Sequence, residues 1–208
     1  ATQLMRCMIG GESTMIASKD IALVGNGPVL QDYRSFVGEH DVVVRMNLCA
    51  NLDKTGDKTD FIALINSGRP VFEICDKAEL FEPARRNCKK IWLVRHPSVV
   101  ATLKKDFFFN ENDPYEGRDF SFHIRRKFAP TPCEMFAPNI WQDAGKIIGA
   151  QGGGNKQPST GLLTFLRLQE LYPGKIVNLF GFTHEGWVGH PWDAERKFFG
   201  THPSVRYF

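Results

Sequence analysis

Five short apolar runs are spaced along the chain, and each is bounded by polar or turn-forming residues. They cover residues 21–24, 41–45, 60–65, 90–95 and 176–180. Short runs of this kind, rich in β-branched or aliphatic side chains, are typical of strands that are buried on both faces. The pattern therefore predicts five interior strands.

Segments with helical periodicity separate these runs. After Pro28, apolar residues recur at helical spacing up to Val37, so we expect a helix with this proline near its first position. Residues 134–150 and 162–171 predict two further helices. Strands that alternate with helices indicate an α/β, Rossmann-like fold, in which a mainly parallel twisted sheet carries helices on both faces.

The length of 208 residues fits one domain that buries a core without disulfides. We expect an irregular lead-in over residues 1–17 and a single domain over residues 18–208. Residues 107–125 lack periodicity and predict a long loop near a binding face, where Phe107 to Phe109 would fill core or form an acceptor platform. The glycines of residues 151–155 predict a hinge or mobile loop.

Charge and cysteine usage exclude several function classes. A net charge of +3 is too small for nucleic-acid binding, and the basic residues 125–127 predict a solvated face or a weak contact with an anionic acceptor or lipid headgroup. The five cysteines show neither a CxxC pair nor metal-type spacing. No apolar run reaches the roughly 18 residues of a membrane span. The unpaired thiols and the lack of an Asn-x-Ser/Thr acceptor favour a reducing, cytoplasmic setting, with peripheral contact at the inner membrane as an alternative.

A Gly-Asn-Gly turn follows the first predicted strand, and glycines at such a turn let the backbone approach a phosphate. Gly25 and Gly27 match the start of a dinucleotide fingerprint, but Leu30 stands at the third glycine position. The second strand ends at Asn47, where an NAD-binding enzyme needs an acidic residue. A dehydrogenase is therefore disfavoured, and Asn26 with Asn47 would suit a phosphate, a ribose and an uncharged base, although Asn26 alone is equally typical of a turn.

A second group of candidates begins at a predicted helix N-terminus, whose free N–H groups favour an anion but whose residues also suit a simple N-cap. These residues are Ser159, Thr160 and Gly161. His184, His190 and Glu195 follow the next strand, so the fold would bring them to the same sheet edge. A neutral histidine suits a general base, and a protonated one stabilises a leaving phosphate.

In this order, the segments resemble the motifs of the sialyltransferases of glycosyltransferase family 29. Residues 21–61 are similar to the large motif of that family, with Arg45-Met46-Asn47 as the most specific part, and residues 157–182 resemble the small motif. His190 and Glu195 reproduce the spacing of the terminal His-x4-Glu motif. The turn at residues 25–28 also resembles the bacterial sialyltransferases of family 42.

This resemblance implies a glycosyltransferase domain with a variant GT-A fold over residues 18–208. It would be metal-independent and inverting, would need no cofactor, and would move sialic acid from a CMP-linked donor to a hydroxyl of a glycan or glycolipid acceptor. The roles implied are CMP binding by Asn26, Gly27 and Asn47, donor phosphate or carboxylate binding by Ser159, Thr160 and Gly161, phosphate assistance by His184, proton removal by His190, and local support by Glu195.

Two features depart from the family pattern. The cysteines that join its motifs are replaced, with Ile21 or its neighbours and Tyr172 at the expected places, and the segment from His184 to His190 is short. A disulfide-free chain suits equally a CMP-Kdo-dependent Kdo transferase of lipopolysaccharide or surface polysaccharide synthesis. A catalytically silent nucleotide-binding module, and an NADP enzyme with Arg45 on the 2′-phosphate, are the alternatives from other classes.

Overall fold

The fold is built on a seven-stranded parallel sheet, seen in a computed structural model that describes residues 5–9, 12–16, 20–103 and 112–208. The strands are β1 (Met5–Ile9), β2 (Glu12–Ile16), β3 (Ile21–Val24), β4 (Val42–Met46), β5 (Phe61–Leu64), β6 (Lys90–Leu93), β7 (Cys133–Met135), β8 (Val177–Phe180) and β9 (Val205–Tyr207). The order in the large sheet is β7-β6-β5-β4-β3-β8-β9, and all neighbours pair in parallel. The predicted α/β, Rossmann-like class is confirmed.

The sequence pattern did not predict two of the strands in this sheet. The five predicted strands correspond to β3, β4, β5, β6 and β8, whereas β7 and β9 lie at the two edges. Each edge strand is three residues long, and neither has the continuous burial of the interior strands. A short, half-exposed strand has no continuous apolar run, which is why the pattern missed both.

Residues 5–9 and 12–16 form strands, whereas the sequence predicts an irregular lead-in over residues 1–17. Strands β1 and β2 form an antiparallel hairpin in which Met5 lies opposite Ile16 and Ile9 opposite Glu12. In the sequence, Gly10 and Gly11 separate the two strands, and Gly-Gly is favoured between hairpin strands. The prediction was wrong because it looked for a sustained apolar run, which a hairpin does not need.

Helices connect the strands of the large sheet. They are α1 (Arg34–Gly38), α2 (Leu52–Thr55), α3 (Pro70–Asp76), α4 (Glu82–Asn87), α5 (Pro97–Val100), α6 (Ser121–Lys127), α7 (Pro138–Ala150), α8 (Thr160–Leu171) and α9 (Trp192–Thr201), with a 3₁₀ helix over Ala78–Phe81. The predicted start of the first helix near Pro28 is wrong. The N–H groups of Val29 and Tyr33 donate to Asn51 and Lys54, so this segment is bonded to the loop around α2 and turns helical only at Arg34.

The structure departs in part from the helix predicted at residues 134–150 and from the loops predicted on either side of it. The predicted helix at residues 134–150 is divided, because β7 occupies its start and a proline begins α7. The N–H of Gly153 donates to the carbonyl of Ile148, so residues 151–155 close the end of α7. Of the predicted loop at residues 107–125, Phe107 to Phe109 lie outside the described residues, and residues 121–125 belong to α6.

Both faces of the central strands are covered by apolar side chains. Ile21 and Leu23 of β3 belong to the main core, and Ala22 and Val24 belong to a second cluster with Val37 of α1. This alternation follows from the opposite orientation of successive side chains in a strand. Burial on two sides explains why the interior strands read as continuous apolar runs.

The four cysteines whose side chains are described carry free thiols. Burial raises the pKa of the Cys49 thiol to about 12 and that of Cys88 to about 11. Within the part of the chain that the structure describes, no helix is long and apolar enough to cross a membrane.

The loops that follow β3 and β8 meet backbone to backbone. The N–H of Gly25 donates to the Phe180 carbonyl at 2.7 Å, and that of Gly27 donates to the Gly181 carbonyl at 3.0 Å. Gly181 has a φ of +65°, and a Cβ atom on it would lie 2.5 Å from the carbonyl oxygen of Gly27. Glycine is therefore required at Gly181 for both conformation and space.

Replacement of Gly181 by alanine should lower the stability of the protein. A left-handed non-glycine residue and the overlap with Gly27 together predict a loss of roughly 2–4 kcal/mol in the free energy of unfolding, measured by urea denaturation. Gly145→Ala in the middle of α7 is the control, because its Cβ would meet nothing within 4 Å and should add about 0.5–1 kcal/mol. Equal stability of the two variants would contradict the proposed overlap.

Candidate functional site

The candidate site lies where the connections of the sheet change direction. From β3 the chain proceeds outward to β4 and on to β7, whereas β8 pairs on the other side of β3 and leads to β9. Loops at the carboxyl ends of β3 and β8 therefore diverge, and ligands of open α/β sheets bind in the crevice at such a point. A cleft of about 170 Å³ is found there, which we name the small cleft.

All nine residues predicted from the sequence line the small cleft. They are Asn26, Gly27, Asn47, Ser159, Thr160, Gly161, His184, His190 and Glu195. Each of them lies beside the end of a strand or the end of a helix at one edge of the parallel sheet. The topology therefore brings them together, although they span most of the chain. Their chemical roles stay predictions.

The turn that carries Asn26 is shaped by a residue that the sequence analysis missed. Asn51 donates hydrogen bonds from its side-chain nitrogen to the carbonyls of Gly27 at 2.8 Å and Gly25 at 3.3 Å, and its side-chain oxygen accepts from the Val29 N–H. Asn51 has a φ of +66°, a conformation that asparagine tolerates better than most residues. Asn26 remains exposed at the cleft.

Asn47 connects the ends of two neighbouring strands. It follows β4 with a φ of +46°, and its side-chain oxygen accepts a hydrogen bond of 2.9 Å from the Ile65 N–H beyond β5. Among the described residues, its side-chain nitrogen has no hydrogen-bond partner in the protein. The side chain is thus held by its oxygen and presents its N–H₂ donors for a ligand.

Arg45, two residues earlier, does not reach the cleft. Its guanidinium is fully buried and donates to the hydroxyls of Thr59 and Thr55 and to the carbonyl of Gly56 at 2.6 Å. Burial lowers its pKa to about 10. The alternative in which Arg45 binds the 2′-phosphate of NADP is therefore wrong, because its three nitrogens are all occupied by the protein.

The start of α8 combines a cap with an anion-binding geometry. Ser159 Oγ accepts from the Leu162 N–H at 3.1 Å and donates to Glu195 at 2.6 Å, so the hydroxyl is fully engaged. Thr160 and Gly161 are the first two residues of α8, whose N–H groups have no carbonyl one turn earlier. A Cβ atom on Gly161 would lie 2.9 Å from the Phe182 ring, so glycine permits a close contact here.

Glu195 is hydrogen-bonded to Ser159, the residue that precedes α8. Its carboxylate also accepts the Ser159 N–H at 2.8 Å, and only 1% of the residue is exposed. Burial raises the pKa of Glu195 to about 7, although the two bonds from Ser159 act in the opposite direction. The carboxyl group is thus bonded to both the main chain and the side chain of Ser159, and the supporting role implied for Glu195 stays a prediction.

His190 has the geometry of a base. Its Nδ1 lies 2.7 Å from the carbonyl oxygen of Gln157, which only accepts, so Nδ1 carries the proton and Nε2 carries the lone pair. No hydrogen bond joins Nε2 to any residue that the structure describes. Burial lowers the pKa of His190 to about 4, with a smaller contribution from the charge of Arg95, and the ring is neutral at pH 7. Trp187 and Trp192 pack edge to face against it, both at 4.9 Å between ring centroids.

His184 is less well suited to its expected role. Its backbone is left-handed with a φ of +52°, and its Nε2 makes a 2.8 Å hydrogen bond with the Tyr207 hydroxyl. Burial and the neighbouring Arg196 lower the pKa of His184 to about 4. The imidazole is therefore neutral at pH 7, and stabilisation of a phosphate would require a proton that this environment disfavours.

A second cavity of about 640 Å³ adjoins the small cleft, and we name it the large cavity. Asn47, Thr160 and His190 line both. The large cavity extends along the ends of β5 and β6, where its wall includes Ser67, Arg69 and Arg95. His190 thus stands at the boundary of two spaces.

Within the described ranges, no group of three His, Cys, Asp or Glu side chains could hold a metal ion. The metal independence implied by the sequence resemblance stays a prediction.

Comparison with known proteins finds similar chains among curated sequences and among solved structures. The urease operon 23 kDa accessory protein of Rhizobium meliloti strain 1021 is 27% identical over 197 residues, which cover 88% of each chain. The sialyltransferase CstII of Campylobacter jejuni, solved in complex with the substrate analogue CMP-3FNeuAc, gives a TM-score of 0.47 at 13% identity, over 91% of this chain and 79% of that chain. No family model matches the chain.

Replacement of Glu195 by glutamine should change how stability depends on pH. The pKa is raised from 4.5 to about 7 in the folded protein, so the folded state holds the proton more tightly and the wild type loses stability as pH rises through this window. The free energy of unfolding of Glu195→Gln should therefore rise relative to wild type between pH 5 and pH 8, by an amount on the order of 1–3 kcal/mol, and its Tm relative to wild type should rise with it. Histidines shared by both proteins cancel in this difference.

The matched control is Glu79→Gln, which changes an exposed glutamate that lines neither cavity. Its Tm difference from wild type should stay constant over the same pH range. A constant difference for Glu195→Gln as well would overturn the assignment of a raised pKa.

Proposed function

We propose that the protein is a metal-independent, inverting glycosyltransferase. It moves an acidic 2-keto sugar, sialic acid or Kdo, from a CMP-linked donor to a hydroxyl of a glycan or glycolipid. The observation that carries this proposal is the position of His190, whose free Nε2 belongs to a ring at the boundary between the small cleft and the large cavity. The cleft takes the nucleotide and the cavity takes the sugars.

The nucleotide is bound by backbone and amide groups. The turn at Asn26 and Gly27 admits the phosphate or ribose closely because its shape is fixed by Asn51 and its glycines lack side chains. The side-chain nitrogen of Asn47 donates to the same ligand. Thr160 and Gly161 offer the first N–H groups of α8 to the single phosphate of CMP, where the helix dipole favours negative charge.

The reaction is a direct displacement. As the acceptor hydroxyl oxygen attacks the anomeric carbon, its proton passes to Nε2 of His190, and the bond between that carbon and the phosphate oxygen breaks with its electron pair on CMP. Attack opposite the leaving group inverts the configuration. The anionic donor, once bound beside the ring, stabilises the imidazolium and so raises the basicity of His190 above its value in the free protein.

Two other interpretations have less support than this proposal. A catalytically silent nucleotide-binding module would have no use for a histidine whose tautomer is fixed with Nε2 free beside two cavities. The name of the Rhizobium meliloti relative refers to a urease operon, and the position of a gene in an operon specifies no reaction. The donor sugar is decided by comparing CMP-sialic acid with CMP-Kdo as substrates.

A thermal-shift screen tests the nucleotide. CMP should raise the Tm, whereas UDP, GDP and NADP at the same concentration should not, since only ligands that bind the folded state stabilise it. Asn47→Asp should abolish the CMP effect, because the carboxylate keeps the acceptor for the Ile65 N–H and replaces the donor by a negative oxygen. Asn87→Asp makes the same change at an exposed site away from both cavities and should keep the full shift.

Stabilisation by UDP or NADP without stabilisation by CMP would reject the proposal. An unchanged CMP shift in Asn47→Asp would reject the contact with Asn47 alone.

The histidine is tested by turnover. His190→Ala should reduce transfer from the CMP-sugar by ~10²- to 10⁴-fold, the usual contribution of a positioned base, while the thermal shift by CMP persists. The exposed His123 on α6 provides the matched control, and His123→Ala should transfer at the wild-type rate. Wild-type turnover by His190→Ala would exclude it as the base, and activity that EDTA abolishes and Mg²⁺ restores would exclude the metal-independent chemistry.

A further inference from the structure

Arg95 is a buried cation in the wall of the large cavity. It follows β6, only 7% of it is exposed, and its main-chain N–H and carbonyl are both bonded to the side chain of Asn66. Asn66 in turn contacts Ser121 at the start of α6. The backbone that carries the guanidinium is therefore fixed from two sides.

The guanidinium itself is poorly satisfied. Of its nitrogens, Nη1 donates to the Ser67 hydroxyl at 2.9 Å, and the buried Nε has no hydrogen-bond partner. Among the described residues, Nη2 makes no hydrogen bond either. The ring of Trp141 lies 5.2 Å from the guanidinium carbon and holds the cation without neutralising it. A buried donor without a partner costs stability, so a ligand is the simplest explanation of its retention.

No acidic residue of the same cavity forms a close ion pair with Arg95 among the described residues, although the charge of Glu116 acts on it at longer range and opposes the lowering of its pKa by burial. Asp113 forms an ion pair with Arg69 at 3.1 Å, and Glu73 forms one with Lys77 at 2.6 Å. Asp76 and Glu116 also line the cavity, and no ion pair within 4 Å joins either to Arg95 among the described residues. Arg95 is therefore a largely desolvated positive charge in the cavity wall.

The position of Arg95 indicates which part of a ligand it meets. The end of β6 lies three strands from β3, or roughly 14 Å at the usual strand spacing, so Arg95 is remote from the turn proposed for the nucleotide. His190 lines the same cavity. A group bound by Arg95 therefore belongs to a sugar beside the reacting atoms.

We propose that Arg95 binds the carboxylate of an acidic sugar in the large cavity and so makes the enzyme selective for such sugars. This inference rests on the proposed function. Planar carboxylates match the donors of a guanidinium, and desolvation strengthens the attraction. The carboxylate belongs either to the 2-keto sugar of the donor or to an acidic acceptor sugar, and the two sources share this chemistry.

The test compares acids with their neutral esters in the presence of saturating CMP. For the donor source the probes are sialic acid and its methyl ester, and for the acceptor source they are methyl galacturonide and its methyl ester. In wild type, one acid should raise the Tm further and its ester should not, and the responding pair identifies the source. Arg95→Met should lose this difference and keep the shift by CMP alone.

Two controls separate binding from folding. Arg126→Met removes an exposed arginine of α6 that lines neither cavity and should retain the preference for the acid. Arg95→Lys should recover only part of the preference, because lysine keeps the charge without the planar donors. The Tm of Arg95→Met without ligand should equal or exceed that of wild type, since the variant no longer buries an unpaired charge.

The Tm measurements distinguish a failure of the proposed role of Arg95 from a failure of the proposed function. If CMP raises the Tm and each acid acts like its ester, the role of Arg95 is wrong and the proposed function stands. If Arg95→Met keeps the wild-type preference for an acid, another residue binds the carboxylate. If CMP itself has no effect, the proposed function fails first.

Discussion

The structure depends on one close contact, between the backbones of the loops that follow β3 and β8. Gly25 and Gly27 bond to Phe180 and Gly181, and no side chain fits between the two loops. This contact closes the base of the small cleft at the point where the sheet changes direction. With it in place, the residues beyond β8 and the start of α8 face the turn at Asn26, although they are distant in the sequence.

Much of this arrangement could be predicted because a parallel sheet has simple rules. Interior strands buried on two faces read as apolar runs, and their carboxyl ends meet at one edge, which is why nine residues from separate motifs line one cleft. Edge strands and the hairpin at residues 5–16 carry no such run. Asn51 was missed because its hydrogen bonds to the turn at Gly25 and Gly27 form only in the folded chain. The burial of Arg95 and its unbonded Nε are likewise properties of the fold, and no local spacing marks either residue.

The polar residues of the site differ in whether their side-chain atoms are bonded to the protein or left available to a ligand. Glu195 and Ser159 satisfy each other, and the carbonyl of Gln157 fixes the proton on Nδ1 of His190. Sequence patterns place residues that the protein engages and residues that it leaves available in the same motif, since both must be present for the geometry to form. Only the hydrogen bonds show that Ser159 is engaged by the protein while Nε2 of His190 is free for a ligand.

Arg45 and Asn47 illustrate what this division means for descent. Arg45 holds the turn at Thr55 to Thr59 and touches no cleft, whereas Asn47 faces both spaces. A descendant that kept this architecture after losing its ligand would still need Arg45 and would be free to change Asn47. The residue that the fold requires and the residue that faces the ligand spaces therefore lie two positions apart. A descendant could keep the first after the second has changed.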